Sequence, residues 1–119
     1  MSAGDWKELY CAVEKGDYDL VDYHIKSGIN LNYQHPEILM TVLVTAIKLK
    51  HNRIVALLLD NGADPNLESY YDQLTPLSAA LKYNNDDAVV RLKTKNVQIS
   101  FLQMIKMSRF WRVFTHLSK

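Results

Sequence analysis

Residues Thr41 to Asn66 have the sequence TVLVTAIKLKHNRIVALLLDNGADPN, and this stretch decides the fold. Apolar side chains recur at helical spacing on both sides of Lys50-His51-Asn52, which predicts two short helices back to back. The second helix is apolar almost all round, so it should be largely buried. Gly62 and Pro65 follow it as turn residues that end a helix. Because a helix pair of this size cannot bury both apolar faces alone, we expect further copies on either side.

The same unit recurs along the chain with a period of 34 residues. The first helix of each copy carries a leucine and an alanine at fixed phase: Leu9, Leu43 and Leu77, with Ala12, Ala46 and Ala80. The turn after the second helix is marked in the same way, by Gly28, Gly62 and Asn96. A small residue at one helical phase lets the helix of a neighbouring copy approach closely. Three copies in phase predict a solenoid of stacked helix pairs.

Two segments resemble the ankyrin repeat family. Thr75-Pro76-Leu77-Ser78-Ala79-Ala80 resembles the family's TPLHxAA opening, with serine in the histidine position, and Leu57 to Asn66 resembles its GADxN ending. The resemblance covers about residues 5–118 and implies an all-α ankyrin repeat solenoid of about four helix pairs with two hairpin fingers. It implies one domain, 1–119, with repeats at about 4–33, 34–67 and 68–100 and a short capping helix pair at 101–119.

The resemblance places the fingers at Tyr33–Met40, here called finger 1, and at Leu67–Leu74, here called finger 2. Their extended, aromatic-bearing composition agrees with this placement. Neither carries the glycine that is usual at the finger tip. Tyr33, Tyr70 and Tyr71 lie in the fingers, and we expect some of them to remain exposed. Tyrosine offers a large, rigid contact surface with a polar end, so it suits a binding surface.

What the resemblance implies about function is a protein–protein interaction module. In ankyrin proteins the partner docks on the concave side, which is made by the finger tips and the exposed faces of the first helices. Carried over by position, that surface includes Gln34, His35, Glu37, Tyr70, Tyr71, Asp72 and Gln73 from the fingers, and Glu14, Lys15, Lys48, Leu49, Lys82 and Tyr83 from the helix ends. For each residue the alternative is ordinary solvated surface. The tyrosines rank highest, because interface energy concentrates in such anchors.

The period breaks after Asn96, since Phe101 follows Leu77 by only 24 residues, and this predicts that the third finger is missing. The last two helices then form a terminal cap. Basic residues line one side of the final helix beside Phe110 and Trp111: Lys106, Arg109, Arg112, His116 and Lys119. An alternative function is therefore binding of anionic lipid or nucleic acid through this stripe. A solvated cap face is the favoured interpretation, because the apolar side of the helix is needed to seal the stack.

Composition narrows the remaining classes of partner, location and function. The formal net charge of +1 argues against a phosphate-binding surface spread over the molecule, and we expect a protein partner rather than nucleic acid or membrane. Neither a secretory signal nor a membrane-spanning segment is visible, so we expect a cytoplasmic protein. We also expect the protein to be a monomer. A chain of 119 residues with no appended catalytic domain favours a small inhibitor, an immunity-type protein or an adaptor.

The sequence also lacks the groups of residues that catalysis, cofactor binding or metal binding requires. It has no Gly-rich phosphate loop, no Cys/His metal cluster and no activated nucleophile, so we expect no enzymatic activity, cofactor or metal. The single cysteine, Cys11, lies in an apolar helical stretch and is predicted to be a small buried residue. Trp6 is predicted to lie in the core or at the end cap, His24 at a helix edge, and His51 in a structural turn.

Overall fold

The computed structural model describes residues 3–95, which form three helix pairs. In chain order the helices are α1 (Ala3–Lys15), α2 (Tyr18–Lys26), α3 (Val42–Lys48), α4 (Asn52–Asp60), α5 (Pro76–Lys82) and α6 (Asp86–Lys93). The predicted ankyrin solenoid is confirmed. The capping pair predicted at 101–119, and the basic stripe on it, lie outside the described residues.

The helices stack in two layers. The first helices α1, α3 and α5 contact one another in sequence order, and so do the second helices α2, α4 and α6. The repeated leucines and alanines of the first helices are all buried between these layers, as the period predicts. Leu58 of α4 is fully buried in the middle of the stack, while Leu57 is only half-buried.

Side-chain caps explain where the helices begin. Thr41 Oγ1 accepts a hydrogen bond from Val44 N at 3.0 Å, and Thr75 Oγ1 accepts one from Ser78 N at 3.2 Å. Helix α4 differs, because His51 at its N-cap makes no capping hydrogen bond. The His51 ring instead lies 3.2 Å from the carbonyl oxygen of Glu14, in the preceding repeat. His51 therefore packs between two repeats.

Main-chain conformation and side-chain amides join one repeat to the next. Gly16, Lys50 and Asn84 stand one period apart and all have positive φ, at 73°, 60° and 56°. A Cβ on Gly16 would lie 2.9 Å from the His51 ring, so the close approach of the repeats requires glycine there. The Asn32 side chain donates to Gly62 O at 3.2 Å and accepts from Asp64 N at 2.7 Å. This amide fixes the spacing of two successive loops.

Three single-residue predictions can be compared with the structure. Trp6 is fully buried, and His24 is buried on α2. The prediction that Cys11 is buried is wrong, because its side chain is exposed. Cys11 lies on the side of α1 that faces away from α3, whereas the corresponding Thr45 is covered by Tyr10 of α1. Within residues 3–95, the longest helix has 13 residues, and no helix could span a membrane.

Candidate functional site

The two fingers close by different means. Finger 2 contains an antiparallel bridge between Ser69 and Leu74, in which Ser69 N donates to Leu74 O at 3.0 Å. Finger 1 shows no such bridge, and closes by a turn in which Leu39 N donates to His35 O at 2.8 Å. Leu39 and Gln73 stand one period apart and have positive φ, 57° and 56°. They adopt the left-handed conformation without the glycine that usually provides it.

The fingers are fastened to each other along their length. The Gln34 side chain donates to Glu68 O at 3.0 Å and accepts from Tyr70 N at 3.0 Å. Tyr71 N donates to Leu39 O at 2.9 Å. Gln34, predicted as a contact residue, therefore uses its amide to hold the two fingers together.

The tip of finger 2 presents two exposed aromatic rings. Tyr70 is 63% exposed and Tyr71 is 76% exposed, and Gln73 beside them is exposed as well. The main-chain nitrogens of both tyrosines are held by finger 1, so the backbone is fixed while the rings face solvent. This is an arrangement suited to contact, because little ordering is needed when a partner binds.

An ion pair ties finger 2 to the first helices. Lys48 Nζ at the end of α3 lies 3.2 Å from Asp72 Oδ2, and both side chains are mostly buried. The same Lys48 nitrogen lies 5.4 Å from the centre of the Tyr83 ring, and Lys82 Nζ lies 5.8 Å from it. Burial alone would lower the pKa of Lys48, but the hydrogen bond and charge of Asp72, together with Tyr83, raise it above its ordinary value.

Tyr10 belongs to this cluster, although the sequence did not single it out. Its hydroxyl accepts a hydrogen bond from Thr45 Oγ1 at 3.2 Å. Burial raises the pKa of Tyr10, and the charges of Glu14 and Asp72 act in the same direction, against Thr45 and Lys48. Tyr10 lies one period before Val44, which is fully buried, so the repeat position favours burial. Because Tyr10 is half-buried there, its hydroxyl needs a hydrogen-bond partner.

His35 and Glu37 occupy different surroundings. His35 is buried with its ring 6.0 Å from that of Trp6, and its Nδ1 accepts a hydrogen bond from Glu37 N at 3.1 Å. Trp6 also stacks on Tyr10 at 5.2 Å, so these rings bind finger 1 to α1. Burial removes His35 from the set of residues that a partner can reach. Glu37 is exposed and paired with Lys7 at 3.0 Å, which lowers the pKa of its carboxyl.

The remaining predicted residues lie at the ends of the first helices. Leu49 is 48% exposed just after α3, and Lys82 is exposed at the end of α5. Glu14 and Lys15 are exposed at the end of α1. The structure thus brings Lys48, Asp72, Tyr83 and Tyr10 into one cluster. Exposed side chains on the same helix ends and finger include Leu49, Lys82, Tyr70, Tyr71 and Gln73.

Comparison with known proteins agrees with this geometry. Three copies of the ankyrin repeat match residues 9–101, which is more than half of the chain. The chain therefore belongs to the ankyrin repeat family. Ankyrin repeats are generally protein–protein interaction modules.

Several curated proteins are similar to parts of the chain. It is 39% identical to the fowlpox virus protein FPV222, named for its ankyrin repeats, over 59% of this chain and 9% of that protein. It is 43% identical to the human 2-5A-dependent ribonuclease over 50% of this chain and 8% of that protein. It is 35% identical to the L-asparaginase of Dirofilaria immitis over 76% of this chain and 15% of that protein. The chain thus matches only a small fraction of each relative.

Proposed function

We propose that the chain binds a partner protein through its concave surface, with Tyr70 and Tyr71 as the principal contacts. One observation carries this proposal: the two rings are 63% and 76% exposed on a finger tip whose backbone is held by hydrogen bonds. Large exposed aromatic side chains on a fixed backbone are typical of the residues that dominate binding energy.

The surroundings of the tip support the same surface. The Lys48–Asp72 pair holds the tip of finger 2 against the end of α3, so the tip stays at a set distance from the helix ends. Leu49 adds an exposed apolar side chain, and Lys82 adds an exposed positive charge. A partner with an apolar contact flanked by acidic groups would suit this combination.

The role that suits such a surface is non-enzymatic. We propose a small inhibitor, an immunity-type protein or an adaptor that acts in the cytoplasm by occupying a partner. The names ribonuclease and L-asparaginase belong to two relatives of which the chain matches 8% and 15%. Ankyrin repeats match residues 9–101 of this chain, so we take these two similarities to support a shared repeat module and not a shared reaction.

Comparative capture from the native cell extract tests the proposal. The full chain and the Tyr70→Ala/Tyr71→Ala variant would be used as parallel baits, with bound proteins quantified by mass spectrometry. We expect a protein that the wild type retains and the variant loses. An Arg109→Glu/Arg112→Glu bait is the second arm, for the alternative that the basic C-terminal stripe binds anionic lipid or nucleic acid. If the tyrosine variant keeps every partner and the arginine variant loses them, the concave-surface proposal fails.

A further inference from the structure

An apolar groove lies at the N-terminal end of the stack, and no residue of finger 2 lines it. It has a volume of about 420 Å³ and lies between α1 and α2. Cys11, Leu20 and Tyr23 provide apolar lining, and Glu8 and Lys15 border it. We call the surface formed by these five residues the end face.

The repeat register shows what covers the corresponding surface elsewhere in the stack. Leu20 is 40% exposed, whereas Ile54 and Ala88, one and two periods later, are 2% and 0% exposed. They are covered because α4 packs on α2, and α6 packs on α4. The part of the end face around Cys11 and Leu20 therefore corresponds to the surface by which the second and third helix pairs pack onto the pair before them. Among the described residues, nothing covers it in the first pair.

The charges on the end face are arranged to complement a second copy of it. Glu8 and Lys15 lie two turns apart on the groove side of α1, with Cys11 and Ala12 midway between them. If α1 packs antiparallel on another α1 about a two-fold axis at that midpoint, each Glu8 lies opposite the other chain's Lys15. Within residues 3–95, neither side chain forms an ion pair. Cys11, the exposed residue at the midpoint, is small enough to allow the two helices to approach closely.

We propose that the end face binds a second copy of this chain, forming a two-fold symmetric dimer in which the α1 helices pack antiparallel. Leu20 and Tyr23 of each chain supply the apolar contact, and the two Glu8–Lys15 pairs set the register. Finger 2 and its tyrosines stay free, so the dimer presents two concave surfaces. The monomer expected from the sequence is the outcome that would overturn this proposal.

Sedimentation velocity of the full chain over a series of concentrations tests the apolar contact. We expect the wild type to dimerise, and Leu20→Asp/Tyr23→Asp to raise the dissociation constant of the dimer more than about tenfold. Val90→Asp is the matched control, because Val90 is 46% exposed on α6 and lies off the end face. Circular dichroism would check that each variant keeps its helices. A wild type that stays monomeric, or a double variant that dimerises as well as the wild type, overturns the proposal.

Exchange of charges tests the two-fold arrangement itself. Glu8→Lys places like charges across the interface, and so does Lys15→Glu, so we expect each variant alone to be monomeric. A mixture of the two should dimerise, because each altered residue then faces an opposite charge. Cys11 is the only cysteine in the chain, so a short bismaleimide should crosslink the wild type and the mixture but neither single variant. If mixing restores no association, the contact is not the antiparallel one proposed, and another helix pair is the better candidate for the end face.

Discussion

Lys48 Nζ lies 3.2 Å from Asp72 Oδ2 and so connects the last residue of α3 with the tip of finger 2. Asp72 also accepts a hydrogen bond from Leu74 N at 3.2 Å, which holds its carboxylate in the turn. Both side chains are mostly shielded from water, so the pair is expected to contribute more than an exposed ion pair does.

A double-mutant cycle measures that contribution. Lys48→Met, Asp72→Asn and the combined variant should give a coupling energy of about 1 kcal/mol in urea unfolding, since some solvent still reaches the pair. The matched control is the exposed Lys7–Glu37 pair, which has a similar distance of 3.0 Å and should show no measurable coupling. Equal coupling in the two cycles would contradict the argument from burial.

Alkaline pH should weaken the fold through the same cluster. The pKa values of Tyr10 and Lys48 are both raised above their ordinary values of 10.0 and 10.5. Above those ordinary values the unfolded chain loses protons that the folded chain keeps, so the free energy of unfolding falls as pH rises. The stabilising contributions of Tyr10 and Lys48 to the fold are both fully present below about pH 9.

Urea unfolding between about pH 8 and about pH 11 checks this expectation. Tyr10→Phe should make the decline in the free energy of unfolding with pH shallower, because only Lys48 of the two groups then titrates. Tyr71→Phe is the control, since its ring is 76% exposed and lies outside the buried cluster. A Tyr10→Phe profile parallel to that of the wild type would show that Tyr10 does not contribute.

Leu58→Ala tests the packing of the central repeat. Leu58 is fully buried, and its helix α4 contacts both α2 and α6, so the lost contacts and the cavity should cost about 2–5 kcal/mol. Leu57→Ala, at a half-buried neighbour, should cost clearly less. Chemical unfolding of the two variants gives the comparison. A loss for Leu58→Ala under about 1 kcal/mol would mean that the assigned helical phase is incorrect.

The binding surface gives the fourth prediction. Tyr70→Ala/Tyr71→Ala should weaken partner affinity by at least about 2 kcal/mol in calorimetry, with an unchanged melting temperature. The fold should survive, because both rings are exposed and their backbone bonds remain. Arg109→Glu/Arg112→Glu should leave partner affinity unchanged while removing any binding to anionic vesicles or oligonucleotides. The reverse pattern would place the binding site on the C-terminal stripe.

The period of 34 residues was sufficient to predict the helix pairs. Residues at equivalent positions in successive repeats have the same surroundings within the stack. Leu9, Leu43 and Leu77 share a phase, and all three are buried. Cys11 shows where this reasoning stops. Its phase is the buried phase of Thr45, yet it is exposed, because a period does not state which face lies at the end of the stack.

The site was harder to predict than the fold. Position within the repeat placed Tyr70 and Tyr71 on a finger, where they are indeed exposed. The same rule placed His35 on the contact surface, but stacking on Trp6, far away in sequence, buries it. The partnership of Tyr10 with Thr45 depends on contacts between side chains of different repeats, which no local pattern contains.

The Asn32 amide, which bonds to Gly62 O and Asp64 N, suggests how arrays of this kind change length. Its partners lie 30 and 32 residues further along the chain, so the joint connects one repeat with the next and extends no further. Insertion or removal of a whole repeat would recreate the joint at the new boundary, whereas a shift of a few residues would break it. Gene duplication in units of one period therefore leaves the hydrogen bonds between these loops intact. A small insertion in one of the loops would break them.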